Sequence, residues 1–66
     1  MEEKITAWIA RDKEGGLYLY KFQPNKAENY WTGLGIAMPI DRFLFPQVKW
    51  EDEEPTKVEL TIKICE

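Results

Sequence analysis

Residues 4–22 read KITAWIARDKEGGLYLYKF, two apolar segments joined by a polar turn that ends in two glycines. Both segments, 4–10 and 17–22, are rich in β-branched, aromatic and aliphatic side chains, which is typical of strands. A polar turn that ends in glycine favours a three-residue hairpin loop closed by a glycine at positive φ. The stretch therefore predicts an antiparallel β-hairpin.

One register of this hairpin separates its side chains by type. If Asp12 lies opposite Gly16, then Ile9 faces Leu19. One face then carries the aliphatic residues Ile5, Ala7, Ile9, Leu17 and Leu19, and the other carries the aromatic residues Trp8, Tyr18, Tyr20 and Phe22. A slip of one residue would mix the two sets, so we expect the segregated register.

The second half of the chain carries weaker signals and one clear strand. Residues 23–29 are expected to form a loop, 30–38 a strand weakened by two glycines, and 47–50 a short strand. Residues 39–46 could hold one helical or 3₁₀ turn, for which Asp41 is a plausible cap and which Pro46 would end. Residues 57–65 alternate strictly between apolar and polar side chains, which predicts a strand with one buried face.

Chain length and pattern together predict the fold class. With 66 residues the chain is long enough for one domain. We expect a single small β domain over residues 1–66, built as a small antiparallel sheet or a partly open barrel. It would have four to five strands and at most one short helical turn near 40–46.

The residue types needed for common catalytic and metal sites are missing from the sequence. It contains no histidine, no serine and one cysteine, Cys65. Ser-His-Asp and Cys-His catalysis need an imidazole, and the usual zinc sites need cysteine or histidine ligands. The acidic run at 51–54 lacks the spacing of a calcium loop. We therefore expect no catalytic, cofactor-binding or metal-binding residues and no enzymatic activity.

Charge and cysteine content predict the compartment and argue against nucleic acid as a partner. The net charge is −3, and residues 51–66 hold six acidic residues against two lysines, a net of −4. Nucleic-acid affinity arises mainly from Lys and Arg. A single cysteine allows no internal disulfide, and no apolar run is long enough to cross a bilayer. We expect a cytoplasmic protein without membrane contact, and the acidic N-terminus does not resemble a signal peptide.

The aromatic residues are the feature with the most functional promise. Three tryptophans, three tyrosines and three phenylalanines are more than one face of a small sheet easily covers. Large rings can build a dense core, and exposed Trp and Tyr can anchor an interface. Both interpretations stay open. The candidate interaction surface comprises Trp8, Tyr18, Tyr20, Phe22, Trp31 and Trp50.

The segment LFPQVKWEDEEPT at 44–56, with WIARDK at 8–13 and LYLY at 17–20, resembles a group of short bacterial and prophage-type proteins. The shared pattern also includes Trp31 and the pair at 40–41, and it extends over most of the chain. The resemblance implies no activity, cofactor or site residue. The resemblance implies only a context, an accessory protein of a phage or mobile element.

Together these observations favour a non-enzymatic protein-interaction module without a cofactor. Its partner would be another protein, or a second copy that pairs through an edge strand at 57–65. One alternative is an acidic decoy that mimics nucleic acid, motivated by the charge of residues 51–66. A second alternative is single-stranded nucleic-acid binding through exposed aromatic rings.

Overall fold

The computed structural model describes residues 2–65, which form strands and turns and contain no helix. In chain order the strands are β1 (Glu2–Arg11), β2 (Leu17–Tyr20), β3 (Asn25–Lys26), β4 (Trp31–Thr32), β5 (Met38–Ile40) and β6 (Thr56–Lys63). Four strands form an antiparallel sheet in the order β5-β2-β1-β6, and β3 pairs with β4 separately. The predicted mostly β fold with a small antiparallel sheet is confirmed, and the sheet stays open rather than closing into a barrel.

The hairpin of β1 and β2 has the predicted register. Ile9 lies opposite Leu19, with Asp12 opposite Gly16 across the loop, where the amide of Asp12 donates to the carbonyl of Gly16 at 2.8 Å. Gly15 has φ +98°, so the loop needs a residue that adopts the left-handed region easily. The aliphatic and aromatic side chains therefore lie on opposite faces of the sheet.

The predicted strand at 30–38 is wrong, because the glycines interrupt it. The chain forms β4, turns away at residues 33–37, and returns as β5 on the edge of the main sheet. A Cβ on Gly33 would lie 3.2 Å from the Cα of Pro24, and Gly35 has φ +82°. The expected loop at 23–29 also contains β3, which pairs with β4.

Residues 41–52 form successive tight turns instead of a helical turn and a short strand. The amide of Leu44 donates to the carbonyl of Asp41 at 3.0 Å, and that of Val48 donates to the carbonyl of Phe45 at 2.9 Å. Asp41 does act as a local cap, since its carboxylate accepts from the amide of Phe43 at 2.9 Å. The predicted strand at 47–50 is wrong, because the turns leave no extended segment for a partner strand.

Arg11, at the end of β1, holds these turns against the aliphatic face of the sheet. Its guanidinium donates to the carbonyl oxygens of Val48 (2.7 Å), Gly15 (2.8 Å), Arg42 (2.9 Å), Leu44 (3.0 Å) and Phe45 (3.3 Å). The planar guanidinium with five N–H donors suits such a cage of carbonyls. Val48 is thereby packed against Ile9 and Leu17, and these three side chains form the first core cluster.

The opposite face of the sheet is covered by β4. Trp31 packs against Ala10 and Tyr20 in a second core cluster. Its amide donates to Oδ1 of Asp12 at 3.1 Å, and its indole Nε1 donates to the carbonyl of Arg11 at 3.0 Å. The hairpin end of the sheet is therefore covered on both faces.

The other end of the sheet extends beyond these covering segments. β2 pairs with β1 only at residues 8–11, whereas β6 pairs with β1 from Glu2 to Ile9. The molecule measures 43 × 24 × 16 Å along its principal axes. We call the two-stranded extension of residues 2–6 and 59–63 the arm.

Candidate functional site: an apolar groove and a free strand edge

The aliphatic face of the sheet continues from the core onto the arm. Ile5 lies opposite Leu60, and Ala7 lies opposite Val58, so their side chains share a face with Ile9. The turns of residues 41–48 cover only the part of this face near Ile9. Beyond these turns Ala7 is still buried, whereas Ile5 and Leu60 are half-buried and Ile62 is 53% exposed, so this part of the face is only partly covered.

Two adjoining depressions follow this partly covered face. The first has a volume of about 230 Å³ and is lined by Ile5, Ala7, Leu19, Lys21, Ile36, Met38 and Leu60. The second has a volume of about 290 Å³ and is lined by Ile9, Leu19, Ile40, Leu44, Phe45, Val58, Glu59 and Leu60. Leu19 and Leu60 line both depressions, so we call the two together the aliphatic groove.

The rim of the aliphatic groove is apolar and exposed to solvent. Ile36 is 91% exposed and Met38 is 59% exposed. Ile62, which continues the row of Leu60 along the arm, is 53% exposed. Contiguous apolar surface of this kind on a small protein marks a candidate contact site.

The aliphatic groove is bordered on one side by a free strand edge. β6 is eight residues long and pairs only with β1, so the prediction of an edge strand near 57–65 is confirmed for Thr56–Lys63. The opposite edge is β5, which has three residues and contains Pro39. Proline has no amide donor, so β6 is the edge better suited to accept another strand.

The polar face of the arm carries two weak ion pairs. Nζ of Lys4 lies 4.0 Å from Oε1 of Glu59, and Nζ of Lys63 lies 3.6 Å from Oε2 of Glu2. All four side chains are about half exposed or more. Pairs of this type contribute roughly 0–1 kcal/mol each, so they serve mainly to give the arm a fixed charge pattern.

The structure brings five of the six residues of the predicted interaction surface into one cluster. Tyr20 and Trp31 are each 5% exposed, and Trp8, Tyr18 and Trp50 are half-buried around them. Phe22 lies outside the cluster and is 49% exposed. Tyr20 and Trp31 act as core residues, and the accessible part of this surface is formed by the other residues.

Lys26 covers the outer side of this aromatic cluster. Its ammonium lies 4.2 Å from the ring centroid of Trp50 and 5.7 Å from that of Trp31, and these two rings meet edge to face at 6.4 Å. The same ammonium donates to the carbonyls of Trp50 and Asp52. The cation–π contacts and hydrogen bonds join β3 to the turn at 49–52.

The hydroxyl of Tyr20 is the titratable group that the fold perturbs most clearly. It donates to the carbonyl of Trp31 at 3.3 Å inside the cluster. Burial, with smaller contributions from Asp12 and Tyr18, raises the pKa of Tyr20 to about 12. A neutral, hydrogen-bonded phenol is a structural group here and not a proton donor for neutral-pH chemistry.

Sequence reasoning missed the exposed residues of the groove rim. Ile36 and Met38 fall within the predicted strand at 30–38, and nothing in that prediction indicates that they border a groove. The signal that could have separated them was the pair Gly33 and Gly35, which breaks that strand, followed by Pro39, which marks a sheet edge. The aliphatic face itself was predicted correctly, but its exposure was not.

Metal and membrane features can be stated for the described part of the chain. Within residues 2–65, no three acidic or cysteine side chains come close enough together to hold a metal ion. Cys65 is exposed and has a free thiol. No helix long and apolar enough to span a bilayer occurs in the same range.

Comparison of the chain with protein-family models, with curated proteins and with solved structures gives no match. The resemblance to short prophage-type proteins therefore stays a prediction.

Proposed function

We propose that this chain is a non-enzymatic protein-interaction module that binds an apolar segment of another protein in the aliphatic groove. The observation that carries the proposal is the exposed aliphatic rim, where Ile36 is 91% and Met38 is 59% exposed beside a groove lined by further aliphatic side chains. Covering such side chains is favourable by roughly 25 cal/mol per Å² of apolar area.

The size and lining of the groove support a protein segment as the ligand. Its two parts, about 230 and 290 Å³, each have room for one or two apolar side chains. Their shared residues Leu19 and Leu60 would lie between two neighbouring anchors of a bound segment. Met38 adds a flexible side chain of the kind that adapts to different apolar partners.

One charged side chain of the groove suits orientation of a ligand. Lys21 borders the first part. Glu59 borders the second, but its carboxylate lies on the polar face, 4.0 Å from Nζ of Lys4, so a bound segment would meet the positive group of Lys21. The aliphatic lining between them carries neither a nucleophile nor a general base. This supports binding rather than catalysis.

No specific observation favours either alternative, single-stranded nucleic-acid binding or the acidic decoy. Stacking of single-stranded bases uses accessible rings in a basic groove. Phe22, Tyr30 and Phe43 are accessible, at 49%, 54% and 85% exposed. Within the predicted interaction surface, however, Tyr20 and Trp31 are each 5% exposed and Lys26 lies over Trp50. For the acidic decoy, the carboxylate of Asp52 is engaged by the amide of Lys49 at 3.0 Å.

Selection from a displayed library of random peptides tests the proposal directly. The selected peptides would carry closely spaced apolar residues. Ile36→Lys should weaken their binding roughly tenfold or more, because it places a charge on the groove rim. Leu34→Lys is the matched control, since Leu34 is 78% exposed in the same loop and does not line the groove.

Two results would count against the proposal. One is a set of peptides that binds both variants equally well. The other is a map of methyl chemical shifts in which a bound peptide leaves the methyl groups of Met38 and Leu60 unchanged.

A further inference from the structure

The two faces of β6 carry side chains of different types. Val58, Leu60 and Ile62 lie on the aliphatic face, and Ile64 follows in the same alternation. Lys57, Glu59, Thr61 and Lys63 lie on the polar face. The free edge therefore presents charges of both signs on one side and aliphatic side chains on the other.

We infer that the free edge of β6 pairs antiparallel with β6 of a second copy, about a two-fold axis that passes through Thr61. In this register Glu59 lies opposite Lys63 of the second copy, and Leu60 lies opposite Ile62 of the second copy. The symmetry repeats both contacts on the other side of the axis. The result is one continuous eight-stranded antiparallel sheet.

The charges select this register over its neighbours. An axis through Leu60 would place Lys57 opposite Lys63 of the second copy, and an axis through Glu59 would place that residue opposite itself. Like charges directly opposite each other destabilise a sheet, whereas opposite charges stabilise it. An axis through Ile62 loses the Glu59 to Lys63 contact altogether.

A register centred nearer the start of β6 is excluded by the backbone. An axis through Val58 would pair Lys57 with Glu59 of the second copy, but it would also place Thr56 opposite Leu60. Pro55 would then lie opposite Thr61. Proline has no amide donor, so the ladder would end after few residues.

The ion pairs of the arm extend across the proposed interface. Within one chain Lys4 lies 4.0 Å from Glu59, and Glu2 lies 3.6 Å from Lys63. Pairing Glu59 with Lys63 of the second copy would join these contacts into a row of four alternating charges. A partner strand of unrelated sequence would not carry both charges at the matching positions, which favours a second copy of this chain.

The aliphatic face gains from the same contact. Ile62 is 53% and Ile64 is 65% exposed in the single chain. The proposed register places Leu60 beside Ile62, and Val58 beside Ile64, across the two copies. The two aliphatic grooves then lie on the same face of the joined sheet, on either side of the axis.

Mixing two charge variants tests both the dimer and its register. The wild-type chain should show a concentration-dependent mass between monomer and dimer in sedimentation equilibrium, at concentrations up to about 1 mM. Glu59→Lys and Lys63→Glu should each weaken the dimer by about tenfold or more, because each creates two like-charge pairs. Mixed in equal amounts, the two variants should form a heterodimer about as stable as the wild-type dimer.

Lys57→Glu is the matched control, since in this register Lys57 faces no charged residue and the dimer should persist. A wild-type chain that stays monomeric up to about 1 mM would overturn the inference. So would a mixture of the two variants that forms no preferred heterodimer while both remain folded by circular dichroism.

Disulfide formation across the interface tests the register without the charge variants, in case one of them fails to fold. In the proposed register the two Thr61 Cα atoms would lie about 4.5 or 5.5 Å apart, within the roughly 4.4–6.8 Å that a disulfide spans. Thr61→Cys combined with Cys65→Ser should therefore form a linked dimer on oxidation, and Lys57→Cys combined with Cys65→Ser should not. Equal linkage of both would overturn the register.

The dimer forms through the edge of β6 and does not require a peptide in the aliphatic groove. Dimer formation and peptide binding can therefore be tested separately. Ile36→Lys should leave the dimer intact, and Glu59→Lys should be read by sedimentation alone, because Glu59 also borders the groove.

Discussion

The two ends of β1 have similar side-chain patterns but opposite environments. At the hairpin end Ile9 is 2% exposed, with Val48 on its face of the sheet and Trp31 on the other. In the arm the same aliphatic row continues through Ile5, Leu60 and Ile62, yet Ile62 is 53% exposed. Alternation along a strand therefore defines a face, and the covering segments determine whether that face is buried.

The segments that cover the two faces of the sheet are anchored only near the hairpin. Arg11 fixes the turns at 42–48, and Asp12 together with the carbonyl of Arg11 fixes Trp31. Both anchors lie at the hairpin end of β1. The arm has no comparable anchor among residues 2–65, and its polar face carries two exposed ion pairs. This difference makes the hairpin end the stable core and the arm the candidate contact region.

The largest expected effect comes from removing the aromatic cover of the hairpin end. Trp31→Ala should lower the free energy of unfolding by about 3–5 kcal/mol, because it empties the centre of the cluster and leaves the carbonyl of Arg11 without its donor. Urea denaturation followed by circular dichroism measures the loss. Leu34→Ala, at a residue 78% exposed, should change stability by no more than about 0.5 kcal/mol. Similar losses in both variants would refute the assignment of Trp31 to the core.

The next effect comes from releasing the turns on the aliphatic face. Arg11→Lys should cost about 2–3 kcal/mol, because an ammonium cannot reach the five carbonyls that the guanidinium binds. Hydrogen exchange should show faster exchange at the amides of Leu44 and Val48. Arg42→Lys, which loses one exposed hydrogen bond to Glu14, is the control and should cost less. Equal costs would show that Arg11 does not hold the turns.

A smaller effect, dependent on pH, tests the burial of Tyr20. Its pKa is raised from 10.0 to about 12 in the folded chain. At a pH between these two values the folded state therefore keeps the hydroxyl proton of Tyr20, whereas the unfolded state has lost it. The stability that wild type gains over Tyr20→Phe should therefore be constant below pH 10 and should decrease as the pH rises towards 12. Denaturation at a series of pH values measures the difference. Tyr30→Phe, at a ring 54% exposed, is the control. A constant difference across this range would contradict the burial of the Tyr20 hydroxyl.

The smallest effect is expected in the arm. Ile62→Ala should cost less than about 1 kcal/mol when stability is measured at low protein concentration, where association does not contribute. Ile9→Ala, in the same aliphatic row but 2% exposed, should cost about 2–5 kcal/mol. Comparable costs at the two positions would mean that the arm is covered as fully as the hairpin end.

Local signals in the sequence were sufficient for several features of the fold. The turn from Asp12 to Gly16 fixed the hairpin register, because loop length and a glycine at positive φ leave few alternatives. The alternation at 57–65 identified an edge strand with one apolar face. The fold class followed from these two elements, since a hairpin and one further amphipathic strand imply an antiparallel sheet.

Other features depended on contacts between distant residues. The predicted strand at 30–38 failed because the close approach of Gly33 to Pro24 is not visible in either local segment. The turns at 41–52 resembled a helix start through Asp41, but their path is set by Arg11, which lies about thirty residues earlier in the chain. The candidate site was half predicted, since the edge strand was recognised and the exposed groove rim was not.

The sequence by itself determined which side chains share a face, because strand periodicity is a local property of the backbone. Only the tertiary structure decided which face is covered and over what length. The aromatic face, from which the candidate interaction surface was chosen, has Tyr20 and Trp31 in the core. The aliphatic face, by contrast, remains partly open to solvent. The physical reason is that burial depends on where Arg11 and Asp12 hold the connecting segments, and these segments pack over the hairpin end of the sheet.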